Sequence, residues 1–330
     1  MSNYFDNKEL FLEPKVKQYG SHMVMSNVYK NTKVKYVNID TKFRDEYNYN
    51  DTVNYTLTLP ERITDVKSLK VKSVELPITF YNISAALGNN CFKIYNGANS
   101  AIITVPDGNY TEATLVSELN DLITDDSIVT NSQLQGLTFT ITNNKLNIYA
   151  NGASEAAYGY TISIDFAIDP YGNFDKYNFK SKLGWLLGFR DTTYDVIFTY
   201  DDTPTVTDLT GPDGQARVFA ESLVDLNGCK TLYLAIDEFS KSNPNSFVTL
   251  LSSSLINKTI ISRISLDKAV FGFGSIMPAN LFNGLLITDE RTYSGKIDIQ
   301  KLNIQLLNEF GKTISLNGID FSLCLEIEHE

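Results

Sequence analysis

A chain of 330 residues with 43% hydrophobic and 20% charged side chains has the composition of a core-forming protein, which excludes an intrinsically disordered one. A formal net charge of −11 repels phosphate backbones and argues against a nucleic-acid partner. Three cysteines without a CxxC pair argue against a disulfide framework and for a reducing compartment.

Nineteen Tyr and nineteen Phe, with abundant Ile, Val and Thr, favour strands, because these side chains fit a pleated, half-buried surface. The expected class is all-β: a jelly-roll β-sandwich with an inserted small α+β module. Residues 1–32 read as an extended N-terminal arm. Its two apolar clusters, "LFL" at 10–12 and "MVM" at 23–25, are separated by Pro14, charges and Gly20. Lys8, Lys15, Lys17, Lys30, Lys33 and Lys35 offer a local basic patch, but read as parts of a solvated, mobile arm. The start lacks the continuous apolar stretch of a signal peptide. No run of about 18 apolar residues occurs anywhere, so no membrane-spanning segment is expected.

Order is expected from "VKYVNIDTKFRDEY". "VNYTLTLP" alternates and is expected to stop at Pro60, which cannot donate to a ladder. "VKSLKVKSVELP" has apolar spacings of 3, 2 and 3 and reads as a bulged strand ended by Pro77. These segments place one part of the sandwich at 33–87. The α+β module is expected at 88–190. It would contain a hairpin around Gly97, a helix capped by Thr111 with Leu115, Leu119, Leu122 and Ile123 on one face, and a hairpin turning at Asn143-Asn144. "YTISIDFAI" reads as another strand. "SKLGWLLGFR" reads as a short helix capped by Ser181 and closed by Gly188. The sandwich is expected to resume over 191–330 with "VIFTY", "KTLYLAIDEF", "TIISRISLD", "NGLLITD" and a closing pair.

In the closing pair, Ile297 and Ile299 are odd-numbered while Leu302, Ile304 and Leu306 are even-numbered. A bulge at Gln300-Lys301 would return them to one face. A turn is expected at Glu309–Lys312. The last strand alternates cleanly through Phe321, Leu323, Leu325 and Ile327, and an edge so apolar would aggregate, so it belongs inside a sheet.

Little here carries chemistry. The two histidines, His22 and His329, lie near the chain ends and offer no placed base. Clustered zinc ligands and a phosphate-binding glycine motif are lacking; "FGFGSI" is not one. The adjacent acids Asp125-Asp126, Asp201-Asp202, Asp237-Glu238 and Asp289-Glu290 read as solvated or as facing opposite ways on a strand. A calcium loop from Asp201, Asp202 and Asp208 lacks the spaced pattern of a dedicated site. Trp185 reads as core, Tyr47 and Tyr49 as a polar loop, and the three cysteines as unpaired thiols. The sequons at Asn82, Asn109 and Asn257 mean little without secretion. No catalytic, cofactor-binding or metal-binding residue is assigned, and no cofactor is expected.

"YVNIDTKFRD", "YTLTLPERITDVKSLKVKSVELP", "DGNYTEATLVSELN", "LGWLLGF", "YLAIDEF" and "YSGKIDIQKLNIQLLNEFGKTISLNGIDFSLCLEI", in that order, resemble the single jelly-roll minor capsid or penton-type proteins of nucleocytoplasmic large DNA viruses. The resemblance spans about 33–328. It implies a non-enzymatic subunit of an icosahedral virion, assembled in host cytoplasm as a homo-oligomer, such as a pentamer, against other capsid proteins, with contact to an internal viral membrane left open. In that setting the arm would lace onto a neighbour. A virion surface or tail-fibre protein binding a host receptor or glycan is the alternative, followed by a carbohydrate-binding or carbohydrate-active β-sandwich.

Overall fold

The computed structural model describes residues 32–47, 51–97, 99–150, 161–197, 217–239 and 259–330. The fold is mostly β, and its described residues form two large hydrophobic cores beside a small cluster of Ala235, Ile260 and Leu307. The first lies inside a curled eight-stranded sheet. Its strands are β1 (Lys33–Asp40), β2 (Asn54–Pro77), β10 (Thr231–Asp237), β11 (Ile260–Ser265), β12 (Ile276–Asn280), β13 (Leu286–Thr288), β14 (Arg291–Leu307) and β15 (Ser322–His329).

β2 belongs to both layers of a sandwich. Its second half pairs with β15, and its end with β12, giving the layer β1-β15-β2-β12. Its first half pairs with β14, giving the layer β2-β14-β10-β11-β13. All these pairs are antiparallel, and the first strand lies beside the last. This is the jelly-roll arrangement, with strands that change layer through irregular bends. Val71, Leu323 and Leu325 from one layer share a core with Leu234, Ile264 and Ile304 from the other.

The phase slip in β14 is real. Ile299 and Leu302 are both buried, while Gln300 and Lys301 between them are exposed. Ile299 faces Ile63 and Lys301 faces Thr58, so the excess residues sit on β2 and not on β14 as the sequence suggests. Pro60, Glu61 and Arg62 are the exposed residues of that excess. The expected stop at Pro60 is therefore corrected: β2 runs through it, because a proline inside a bulge is not asked for a ladder bond. β15 is an interior strand between β1 and β2. The turn before it is closed by Asn308, whose side chain accepts from the amides of Phe310 and Lys312 at 2.9 Å each.

The second core is built from β3 (Cys91–Asn96), β4 (Asn99–Thr104), α1 (Glu112–Thr124), β5 (Leu137–Thr142), β6 (Lys145–Ala150), β7 (Thr161–Asp165), β8 (Thr193–Ile197) and β9 (Arg217–Phe219). The strands form sheets β4-β3-β7-β8 and β5-β6-β9. Thr111 caps α1 in a reciprocal capping box with Thr114, and Leu115, Leu119, Leu122 and Ile123 are its buried face. Asn143 and Asn144 turn the β5–β6 hairpin with φ of 54° and 60°. The short helix is Leu183–Leu186, and Lys182 stands at its N-cap. Ser181 is not the cap: it ends the preceding 3-10 turn, and its hydroxyl donates to the Asn178 carbonyl.

The cores divide between Phe80 and Ile83 and again between Leu226 and Cys229. Val196, Val218 and Ala220 thus belong to the second core, not to a sandwich resuming at 191. The reason is pairing: β8 extends the sheet of β7, and β9 that of β6. Asn82 ties the two crossings together. Its amide donates to the carbonyls of Tyr110 (2.8 Å) and Leu226 (2.9 Å), and its oxygen accepts from the Tyr110 amide (2.9 Å).

Candidate functional site

The acidic pairs disperse. Asp125 accepts from the amide and hydroxyl of Ser127, which hold its carboxyl below the usual range, while Asp126 accepts from Gln135. Asp289 accepts from the Glu290 amide. Asp237 turns outward and caps the Phe239 amide, whereas Glu238 is buried against Arg291 at 2.7 Å. Arg291 also donates to the carbonyls of Ile236 and Thr259, so it clamps the end of β10 to the approach of β11. Among the described residues no three His, Cys, Asp or Glu side chains gather where they would hold a metal. His329 pairs opposite Lys33 at the end of β15, and Trp185 is half-buried against the second core with Arg190 stacked 4.0 Å over its ring. Tyr47 is exposed. The side chain of Asn82 is buried and committed to backbone groups, which removes it as a glycan acceptor. The cysteines are unpaired, with Cys91 and Cys229 buried. His22, Tyr49, Asp201, Asp202, Asp208, Asn257 and the N-terminal arm lie outside the described residues.

What the fold does present is an open seam. β1 pairs only with β15, and the first half of β2 pairs only with β14 among the described residues, so each offers an unpaired edge. Between them lies a cavity of about 400 Å³. Val37, Ile39, Leu57, Leu59 and Ile63 line it, so the seam reaches the sandwich core. Lys35 and Glu61 bridge its rim at 3.1 Å, and Phe43 stands at the rim with 80% of its surface exposed. Alternation sets this up: on β1 the odd residues Lys35, Val37 and Ile39 turn progressively inward, and Val34 and Tyr36 face out.

Polar anchors fix one end. Thr41 and Phe321 exchange backbone and side-chain bonds, and Asp320 accepts from Thr41 and from Arg44 at 2.9 and 2.8 Å. Tyr55 also lines the cavity. Its hydroxyl is buried without a partner, and burial pushes its pKa well above the ordinary value, opposed by nearby Arg44. An unsatisfied buried hydroxyl is costly, and in native proteins such groups are few. The sequence shows Tyr55 only as one aromatic in an alternating strand, so nothing local distinguishes it.

The described residues thus form a jelly-roll module with an unpaired edge and an apolar seam. No protein-family model matches the chain, and no curated protein matches its sequence. Among solved structures, a selenomethionine-labelled mavirus penton protein aligns over 90% of this chain and 99% of its own, with 10% identity and a TM-score of 0.37. At that TM-score the overlap is too loose to assign function.

Proposed function

We propose that this chain is a structural capsid subunit of a large DNA virus, working by self-association and by contacts to neighbouring capsid proteins. The observation that carries the reading is the jelly-roll order of strands, the first beside the last with β2 shared by both layers. It coincides with the segments whose sequence resembles the single jelly-roll capsid proteins. Such a sandwich is a rigid wedge, and identical wedges in head-to-tail contact close into a ring by rotation. A five-fold ring at the vertex is the finer form of the proposal, and the module around the second core would be the part free to meet other proteins. The arm, the sandwich and the inserted module are proposed as its working divisions, with the virion as its location.

Sedimentation or mass photometry of the full-length protein tests this. The expected species is a ring near five times the 37.0 kDa monomer mass. A monomer at every concentration, together with a specific signal on a glycan array, would overturn the shell reading in favour of a receptor-binding virion protein.

A further inference from the structure

The seam between β1 and the first half of β2 has the form of a strand-binding groove. Among the described residues two unpaired strand edges flank it, and apolar side chains of the core floor it. An extended segment entering there would satisfy ladder groups on an edge and place alternate side chains on apolar surface, as in strand addition. The exposed Lys35–Glu61 pair across the rim is worth little and is no barrier.

The chain carries such a segment. Thirty-one residues precede Thr32, and they join the fold at β1, beside the seam. They hold two apolar clusters, 10–12 and 23–25. Reach separates these. A folded body of this size is on the order of 50 Å across. Residues 23–25 lie about eight residues ahead of β1, and a fully extended chain of that length spans at most roughly 26 Å, too short to cross to a neighbour. Residues 10–12 lie about 21 residues ahead, and the same bound there is roughly 70 Å, which is enough.

We propose that the seam of one copy receives Leu10–Leu12 of a second copy as an added strand, so that each arm laces one subunit to the next. This rests on the self-assembly reading and names the contact that would link the copies.

The test uses the full-length protein with Cys324→Ser as background, so that the two remaining native thiols are buried. One preparation carries Phe11→Cys, the other Leu57→Cys on the seam wall. After mixing and mild oxidation, a disulfide-linked pair at twice the monomer mass is expected. Its yield should be several-fold above a control in which Tyr171→Cys, exposed on the second core's surface, replaces Leu57→Cys. Equal yields in the two mixtures overturn the proposal. So does a bond formed only within one chain when both substitutions are combined, which would place the arm on its own seam. Oligomers that assemble without cross-linking overturn the arm contact and leave the shell reading standing; absence of any oligomer overturns both.

Discussion

Arg291 is the largest fully buried side chain, and its charge is held by one carboxylate, Glu238, and two backbone carbonyls. A pair this deep adds little net stability, but breaking it is expensive, because the survivor keeps a buried charge. Glu238→Ala is therefore expected to cost about 3–5 kcal/mol. Urea unfolding checks this, and a loss under 1 kcal/mol would show that water already reaches the guanidinium. Cys229 gives a pH signature. Burial pushes its thiol up to about 11, so the folded state holds the proton after the unfolded chain, with its ordinary value near 9, has released it. That contribution is complete below pH 9 and is lost as pH rises through about 11. Cys229→Ala should flatten stability over that window, and an unaltered alkaline slope would mean that other groups set it. Neither residue announces itself in the sequence. Arg291 opens an ordinary alternating strand, and its partner lies 53 residues away. Burial of a charge is decided by tertiary packing, which no local period records.

Elements were legible where the chain's own chemistry decides them. Thr111 caps a helix because its hydroxyl reaches the Thr114 amide, and Asn143-Asn144 turn a hairpin because asparagine tolerates positive φ. β9 was not legible, since three residues carry no period. β12 was hidden by Pro278, which is tolerated because, among the described residues, the strand pairs on one side only, with β2. Gly188 shows how tightly one element can be specified. It has φ +96°, and a Cβ there would lie 2.2 Å from the Ser222 carbonyl oxygen. Gly188→Ala should cost on the order of 2–4 kcal/mol from the left-handed backbone and the clash together, read from the thermal shift of the second core; a neutral substitution would show that the loop yields. β15 is indispensable by size. Leu323, Leu325 and Ile327 are buried, and together they contribute roughly 5–9 kcal/mol, comparable to the whole stability of a domain. Removing 319–330 should abolish the fold, and a soluble truncation that melts cooperatively would make that strand peripheral.

At the scale of the molecule the two large cores share no buried side chain among the described residues, and the chain crosses between them at Tyr81–Asn82 and Asn227–Gly228. Gly228 adopts φ +65° at the second crossing. Asn82 is the tie, because its three bonds hold the Tyr110 backbone and the Leu226 carbonyl against the first crossing. The sequence showed this asparagine as a sequon and nothing more, since its partners lie 28 and 144 residues away. Replacing it with alanine strands backbone groups in a buried neck, where each costs about 1–3 kcal/mol. The penalty should fall on the second core, since both backbone partners belong to segments packed on it. A loss of a few kcal/mol in a unit of this size lowers its transition by roughly 5–15 °C. The single tryptophan, Trp185, reports that core alone, whereas circular dichroism reports the strands of both. In Asn82→Ala the fluorescence transition should drop by that amount while the remaining dichroism transition stays in place. If both fall together, the cores unfold as one body and the neck is not what couples them.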